Sequence, residues 1–122
     1  MSCSVAIRQL DGAAVVELSG KFTVADSADS IWRAVSDVLS TGQRRLLMDL
    51  SHVTYLDSAA GIGELVRSYL SAHRQGAEMK LIRVGKNIDR VLRIVGLHNV
   101  FEMYPDEETA IRSFTVAGMA RA

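Results

Sequence analysis

The feature that most constrains the fold of this chain is a change of hydrophobic period near its centre. Leu46–Leu50 is an almost continuous apolar run, which is typical of a strand buried on both faces of a sheet. After a polar break, apolar residues recur with a period of about 3.6 between Ile62 and His73, and this stripe predicts an amphipathic helix that ends at Gly76. A buried strand followed directly by such a helix favours an α/β fold.

The same alternation continues towards both ends of the chain. Two short apolar segments, at 5–10 and 14–19, flank Asp11-Gly12, a dipeptide that favours tight hairpin turns. A second apolar stripe between Ile31 and Leu39 predicts a helix that Asp26 or Ser27 caps and that Gly42 ends. The remaining predicted elements are a strand or extension at 53–56, strands at 79–84 and 100–104, a helix over 88–95, and a final helix from Asp106 with Ala110, Ile111 and Phe114 facing inward.

These elements give α/β as the expected fold class. An opening hairpin followed by strand–helix–strand crossovers predicts a mixed sheet with about four helices. At a length of 122 residues the chain is expected to form one domain, with a core at about 5–114 and a frayed tail at 115–122. The sequence contains no internal repeat and no linker.

Charge and cysteine content exclude several classes of function. The 14 Lys and Arg residues balance 14 Asp and Glu residues, so the net charge of +0 argues against a nucleic-acid binder that works through a general basic field. The single cysteine, Cys3, excludes an intrachain disulfide. No signal peptide and no run of about 18 apolar residues is visible, so we expect a cytoplasmic chain that does not insert into a membrane.

No catalytic or ligand-binding constellation stands out in the sequence. The three histidines, His52, His73 and His98, lack metal-ligand spacing, and His73 is expected to be a partly buried structural residue. Ser58 lacks the flanking glycines of a nucleophile elbow, and Gly61-Ile62-Gly63 matches neither common phosphate-binding loop. We therefore expect no enzyme activity, no metal and no cofactor.

The junction at Asp57-Ser58 carries the most information about function. Here the buried strand gives way to the amphipathic helix, and Ser58 is placed either to cap the helix alone or also to accept a phosphate. A phosphoryl group would add a charge of about −1.5 to −2 beside Asp57, while free backbone amides and the helix dipole would tolerate it. The helix would then survive phosphorylation, but the surface around it would become anionic.

Trp32 lies off the apolar stripe of the first predicted helix. It could anchor a partner, since aromatic residues are enriched at interaction hot spots. It could equally fill the edge of the core. The sequence leaves both interpretations open.

The stretch 46–58, which ends in Asp57-Ser58, resembles the signature of STAS domains, the family of anti-sigma factor antagonists. Residues 61–66 resemble the start of the helix that follows the phosphorylated serine of that family. Gly20, Gly76 and the segments 91–97, 100–101 and 106–110 extend the resemblance, which covers about residues 5–114.

The resemblance implies partner switching. An unphosphorylated antagonist of this family binds an anti-sigma factor that is also a GHKL-type serine kinase, and the binding releases a sigma factor. The kinase then phosphorylates the serine after the aspartate, here Ser58, and a PP2C-type phosphatase resets the cycle. The implied partner-binding residues are Asp57, Ser58, Ala59, Ala60, Gly61 and Ile62, together with the exposed face of the helix from Gly61 to Arg74 and the loop between Gly20 and Asp26.

One departure from the family pattern bears on this switch. The family usually has Asp-Ser, one small residue and then Gly, whereas Asp57-Ser58 is followed by two alanines before Gly61. Counting from the strand makes Ser58 the acceptor, but counting back from Gly61 places that position at Ala59, which has no hydroxyl. The intact Asp57-Ser58 pair favours the first count. The extra residue motivates an alternative, a non-switching STAS scaffold or a transporter-associated module.

Overall fold

The computed structural model of the chain describes the backbone of residues 3–121 and the side chains up to residue 114. The strands are β1 (Cys3–Leu10), β2 (Ala13–Phe22), β3 (Arg45–Leu56), β4 (Glu78–Ile82) and β5 (Met103–Tyr104). They form one sheet in the order of the sequence, with β1 antiparallel to β2 and all later pairs parallel. The α/β class and the mixed sheet expected from the sequence are confirmed.

Helices cover both faces of this sheet. Those described within residues 3–121 are α1 (Val24–Ser27), α2 (Ser30–Ser40), α3 (Glu64–Arg74), α4 (Lys86–Ile94) and α5 (Glu107–Arg121), with a π-helical turn at Ser58–Gly63 and a 3₁₀ turn at Leu97–Asn99. The four long helices agree with the predicted number, and α1 is an additional single turn. Helix α5 continues to Arg121, and the frayed tail expected at 115–122 stays a prediction.

The opening hairpin turns at Asp11 and Gly12, which both have positive φ angles, 45° and 80°. Two consecutive positive φ angles are typical of a type I′ turn, whose twist matches that of the flanking strands. The register runs from the pair of Leu10 with Ala13 to the pair of Cys3 with Gly20. The hairpin predicted from this dipeptide is therefore confirmed.

β3 is one continuous strand of 12 residues, so the predicted segment at 53–56 is its extension. Its pairing with β2 shifts register twice, between Glu17 and Ser19 and between Gly20 and Lys21. Shifts of this kind accompany β-bulges, which bend a strand and increase its twist. The first half of β3 is buried, whereas the second half is mostly exposed and leads to Asp57 at the carboxyl edge of the sheet.

The core has two unequal parts, one on each face of the sheet. The larger part lies under α2, α3 and α4, and its fully buried side chains include Leu18, Phe22, Ile31, Leu46, Met48, Leu65, Leu81 and Leu92. The smaller part lies under α5 and contains Ala13, Val15, Leu47, Ile82, Ala110 and Phe114. Ala110 and Phe114 face inward as predicted, and Ile111 is half-buried.

Charged side chains also attach α5 to the sheet. Nη1 of Arg83 lies 2.9 Å from Oδ2 of Asp49, a buried carboxylate on β3. Arg8 pairs with Glu17 across the hairpin at 2.8 Å and also reaches Glu107 in the first turn of α5. Because Arg83 also lies 3.7 Å from Glu107, this network joins β1, β2 and β3 to α5. It lies on the face opposite α2 and α3.

Candidate functional site

The junction singled out from the sequence is a turn that Asp57 caps. β3 ends at Leu56, Asp57 keeps an extended backbone, and the π-helical turn begins at Ser58. Oδ1 of Asp57 accepts hydrogen bonds from the backbone amides of Ala60, at 2.5 Å, and Gly61, at 3.1 Å. A carboxylate binds helix N-terminal amides more strongly than a hydroxyl does because it carries charge. The prediction that Ser58 caps this helix is therefore wrong.

The second carboxylate oxygen of Asp57 holds the neighbouring loop. Oδ2 accepts a hydrogen bond from the amide of Val24 at 2.9 Å, and the Asp57 amide donates to the carbonyl of Phe22 at 3.0 Å. The loop between Gly20 and Asp26, which the resemblance places near the serine, does lie against it. One carboxylate thus connects α1 to the π-helical turn.

Ser58 and Ala59 are exposed at the start of this turn. Among the described residues, the Ser58 hydroxyl has no hydrogen-bond partner. Asp57 already binds the amides of Ala60 and Gly61, so fewer free amides remain at the start of the turn to meet a phosphoryl group than the sequence suggests. A phosphate on Ser58 would therefore lie beside the Asp57 carboxylate. The amides of Ala60 and Gly61 already bind that carboxylate, so they would not offset the charge of the phosphate.

The π-helical turn accommodates the extra alanine. Its defining hydrogen bond runs from the amide of Ile62 to the carbonyl of Asp57 and is 2.9 Å long. That bond joins residues five apart, whereas an α-helical bond joins residues four apart, so the π-turn encloses one residue more. The extra residue is therefore held inside the turn, and the Asp57-Ser58 pair keeps its place at the end of β3.

Ala60 and Gly61, which the resemblance assigns to the partner-binding set, are buried. A Cβ atom on Gly61 would lie 2.7 Å from Cβ and 2.8 Å from Cα of Leu56, so only glycine allows the turn to approach β3 this closely. These two residues shape the turn and are not exposed to a partner. Ser58 and Ala59 are exposed, and Ile62 is half-buried.

Glu64, in the first turn of α3, is a buried carboxylate that the sequence analysis did not single out. Its Oε1 accepts hydrogen bonds from the amides of Ile31, at 3.0 Å, and Trp32, at 3.2 Å. Its Oε2 accepts one from the amide of Asp29 at 2.7 Å. These amides lie at the N-terminus of α2, so a side chain of α3 caps α2.

The predicted caps of that helix, Asp26 and Ser27, are wrong. Both lie in α1, and the residue before α2 is Asp29, which has a left-handed φ of 63° and makes no capping hydrogen bond with its side chain. Glu64 takes that role from 32 to 35 positions away in the chain. Sequence patterns detect caps within a few residues of a helix start, so they could not detect this one.

α3 does not bury the whole stripe that predicted it. Its buried positions are Glu64, Leu65, Ser68 and Ala72, whereas Val66 and Tyr69 are half-buried and Leu70 is 45% exposed. The buried face and the apolar stripe are offset by about 100°, which is one residue's rotation in an α-helix. His73, expected to be partly buried, is exposed and stacks on Tyr69 with 6.2 Å between the ring centroids.

A surface groove of about 470 Å³ lies between α2 and α3. We call it the α2–α3 groove, and its lining includes Trp32, Gly63, Val66, Arg67, Leu70 and Arg74. Trp32 is half-buried, and the guanidinium carbon of Arg67 lies 4.1 Å from the centroid of its ring. Trp32 therefore fills the edge of the contact between the two helices and also forms a wall of the groove.

The described part of the chain offers neither a metal cluster nor a membrane-spanning helix. Among those residues, no group of three or more His, Cys, Asp or Glu side chains could hold a metal ion. Their helices are all too short or too polar to cross a bilayer. Cys3 is a half-buried free thiol.

The mixed sheet in sequence order and the aspartate-capped turn at its carboxyl edge define a small α/β domain that presents an exposed serine. The chain belongs to the STAS domain family, because the family's sequence profile matches residues 4–110. The resemblance seen in the sequence is thereby confirmed.

Relatives of this chain are named as anti-sigma factor antagonists. The anti-sigma F factor antagonist of Paenibacillus polymyxa is 22% identical over 117 residues, which cover 95% of this chain and 98% of the relative. The crystal structure of an anti-sigma factor antagonist from Mycobacterium paratuberculosis has a TM-score of 0.79 at 24% identity, covering 92% of this chain and 93% of that one. The Bacillus cell fate determinant SpoIIAA, in its phosphorylated form, has a TM-score of 0.69 at 14% identity, covering 90% and 99%. At these identities the structures establish a shared fold.

Proposed function

We propose that this chain is an anti-sigma factor antagonist, a regulatory binding protein and not an enzyme. It binds an anti-sigma factor that is a GHKL-type serine kinase, and this binding releases a sigma factor in the cytoplasm. The kinase then phosphorylates Ser58, and a PP2C-type phosphatase restores the hydroxyl. The related anti-sigma F factor antagonist and the phosphorylated SpoIIAA support this role.

The observation that carries the proposal is the difference in role between Asp57 and Ser58. Asp57 caps the turn, so the hydroxyl of Ser58 is exposed and has no hydrogen-bond partner among the described residues. If Ser58 were the cap, phosphorylation would alter the acceptor on which the turn depends. Because Asp57 is the cap, a kinase can modify Ser58 without disturbing the cap of the turn.

A phosphoryl group on Ser58 would change the surface more than the fold. It adds a charge of about −1.5 to −2 next to the carboxylate of Asp57. The new charge is exposed at the start of the turn, where the docked partner lies in this proposal. Docking would bury this charge away from water without an opposite charge from this chain beside it, which costs much free energy. Phosphorylation therefore ends the complex with the anti-sigma factor.

A second candidate function is a non-switching STAS scaffold or a transporter-associated module. The extra alanine favours it, because the bond from Ile62 to Asp57 gives this turn a different shape from an ordinary α-helical turn. A kinase that recognises the shape of the turn would then pass over Ser58. Partner binding would persist without regulation.

The experiment that tests the proposal is intact mass measurement after incubation with ATP and the candidate anti-sigma kinase from the same genome. Fragmentation then locates any phosphate. The matched variants are Ser58→Ala and Ser40→Ala, since Ser40 is also exposed but lies at the end of α2. We expect one phosphate on wild type and on Ser40→Ala, and none on Ser58→Ala.

Binding of the same kinase distinguishes the two candidates. Partner switching requires that Ser58→Ala binds while Ser58→Glu, which imitates the added charge, binds much more weakly. Equal affinity of both variants, together with an unmodified Ser58, supports the non-switching scaffold and overturns the switch.

A further inference from the structure

Apolar side chains in the lining of the α2–α3 groove are accessible. Leu70 is 45% exposed there, and Val66 and Trp32 are half-buried. α3 buries Glu64 and Ser68 in positions where a helix usually places apolar side chains. An apolar side chain of a partner would therefore cover surface that the chain leaves open to water.

The charged side chains in the lining of the groove are all basic. Arg67 and Arg74 line it, and none of the described residues that line it carries a carboxylate. The ion pair of Arg67 with Asp29 is long, 3.6 Å, and both side chains are more than half exposed, so it is weak. Among the described residues, Arg74 has no carboxylate partner. A guanidinium that lies on an indole ring keeps its N–H edge available for a carboxylate.

The groove continues into the turn that carries Ser58. Gly63, the last residue of the π-helical turn, lines the groove. A second cavity of about 250 Å³ is lined by Ala59, by Arg67 and by the acidic residues Asp29 and Glu64, so Arg67 borders both cavities, and the acidic part of a bound segment belongs in the groove and not in this cavity. A chain segment seated in the groove would therefore reach the immediate surroundings of Ser58.

We infer that the α2–α3 groove takes an acidic, amphipathic segment of the anti-sigma partner. An apolar side chain of that segment lies between Trp32 and Leu70, and its carboxylates bind Arg67 and Arg74. The inference rests on the proposed function and adds the partner's chemistry to it. It also explains dissociation, because a phosphoryl group on Ser58 repels an acidic segment. A stable interface buries about 800 Å² per partner, so the groove and the turn act together.

The test measures the affinity of the full chain for the full-length candidate anti-sigma kinase by isothermal titration calorimetry. The variants are Arg74→Glu and Leu70→Ser, and the control is Arg90→Glu, which makes the same charge change on the exposed side of α4. We expect each groove variant to weaken binding about tenfold or more and the control to stay within about twofold of wild type. Thermal unfolding of each variant verifies that it is folded.

The outcomes separate this inference from the proposed function. If wild type is phosphorylated at Ser58 and Arg74→Glu binds as tightly as Arg90→Glu, the groove is not the anchor, and the proposed function stands. If wild type shows neither binding nor phosphorylation, both are overturned. A dimer in sedimentation that Arg74→Glu dissociates would assign the groove to a second copy of this chain and overturn the inference.

Discussion

Helices α2 and α3 lie side by side, each has 11 residues, and both were predicted from the same apolar periodicity. The two helices bury different parts of their apolar stripes. α2 buries its entire stripe, which consists of Ile31, Ala34, Val35, Val38 and Leu39. α3 buries Glu64 and Ser68 and leaves Leu70 45% exposed. α2 therefore packs its whole stripe into the core, whereas α3 contributes Leu65 and Ala72 to the core and leaves part of its stripe on the surface.

This difference shows that an apolar stripe predicts a helix more reliably than it predicts which face is buried. The rotation of α3 places the Glu64 carboxylate against three amides at the N-terminus of α2, although it also buries the Ser68 hydroxyl, which has no hydrogen-bond partner among the described residues. Buried polar groups without partners cost more than an exposed leucine does. The partly exposed apolar side chains that remain form the groove.

The largest expected effect is a pair of leucine truncations that contrasts the two helices directly. Leu39→Ala in α2 removes a buried side chain and should lower the free energy of unfolding by about 3 kcal/mol. Leu70→Ala in α3 makes the same chemical change at an exposed position and should cost less than about 1 kcal/mol. Urea unfolding of both variants measures the difference. Equal losses would show that α3 packs its stripe as α2 does.

The next effect tests whether Glu64 fixes the position of α3 relative to α2. Glu64→Ala leaves the N-terminal amides of α2 without an acceptor, and we expect a loss of about 2 kcal/mol in the free energy of unfolding. Glu64→Gln keeps one acceptor oxygen and should lose less. Chemical denaturation compares the two with wild type, and a Glu64→Ala variant as stable as wild type would contradict the capping role.

An effect of about the same size concerns the close approach of the π-helical turn to β3. Gly61→Ala places a methyl group against Leu56 and should lower the free energy of unfolding by about 1–3 kcal/mol. Gly85→Ala is the matched control, because a Cβ atom there meets nothing within 4 Å. Thermal unfolding distinguishes them. If the two substitutions proved equally neutral, the turn would not be held as tightly as described.

The smallest effect is expected from deleting Ala59. If the π-helical turn holds the extra residue, removal lets the turn close as an α-helical turn while α3 keeps its rotation. The free energy of unfolding should then change by less than about 1 kcal/mol. Urea unfolding provides the value. A loss as large as that of Leu39→Ala would mean that the deletion rotates α3 and exposes Glu64.

Much of the fold could be predicted from local patterns. The Asp11-Gly12 dipeptide specified the hairpin, and the apolar run at 46–50 specified the centre of the sheet. Both patterns act within a few residues, because turn geometry and strand burial depend on neighbouring side chains. The resemblance identified the family and the Asp57-Ser58 pair within it.

The details of the site could not be predicted in the same way. Ser58 and Asp57 are both good capping residues, and only the backbone geometry decides that Asp57 reaches the amides of Ala60 and Gly61. The Glu64 cap joins segments that are distant in the chain, and the sequence gives no sign of their proximity. The π-helical turn likewise depends on the close approach of Gly61 to Leu56, which joins the turn to the end of β3.

The carboxylate of Asp57 also bears on the rates at which nearby backbone amides exchange their hydrogens. This carboxylate accepts hydrogen bonds from the amides of Val24 and Gly61. Opening either α1 or the π-helical turn therefore releases a bond to the same side chain. An amide exchanges its hydrogen with solvent only after its hydrogen bond opens. We expect the two amides to exchange in D₂O at similar rates, and Asp57→Ala to accelerate both together, as NMR can measure. Two segments 33 positions apart in the chain would then behave as one cooperative unit.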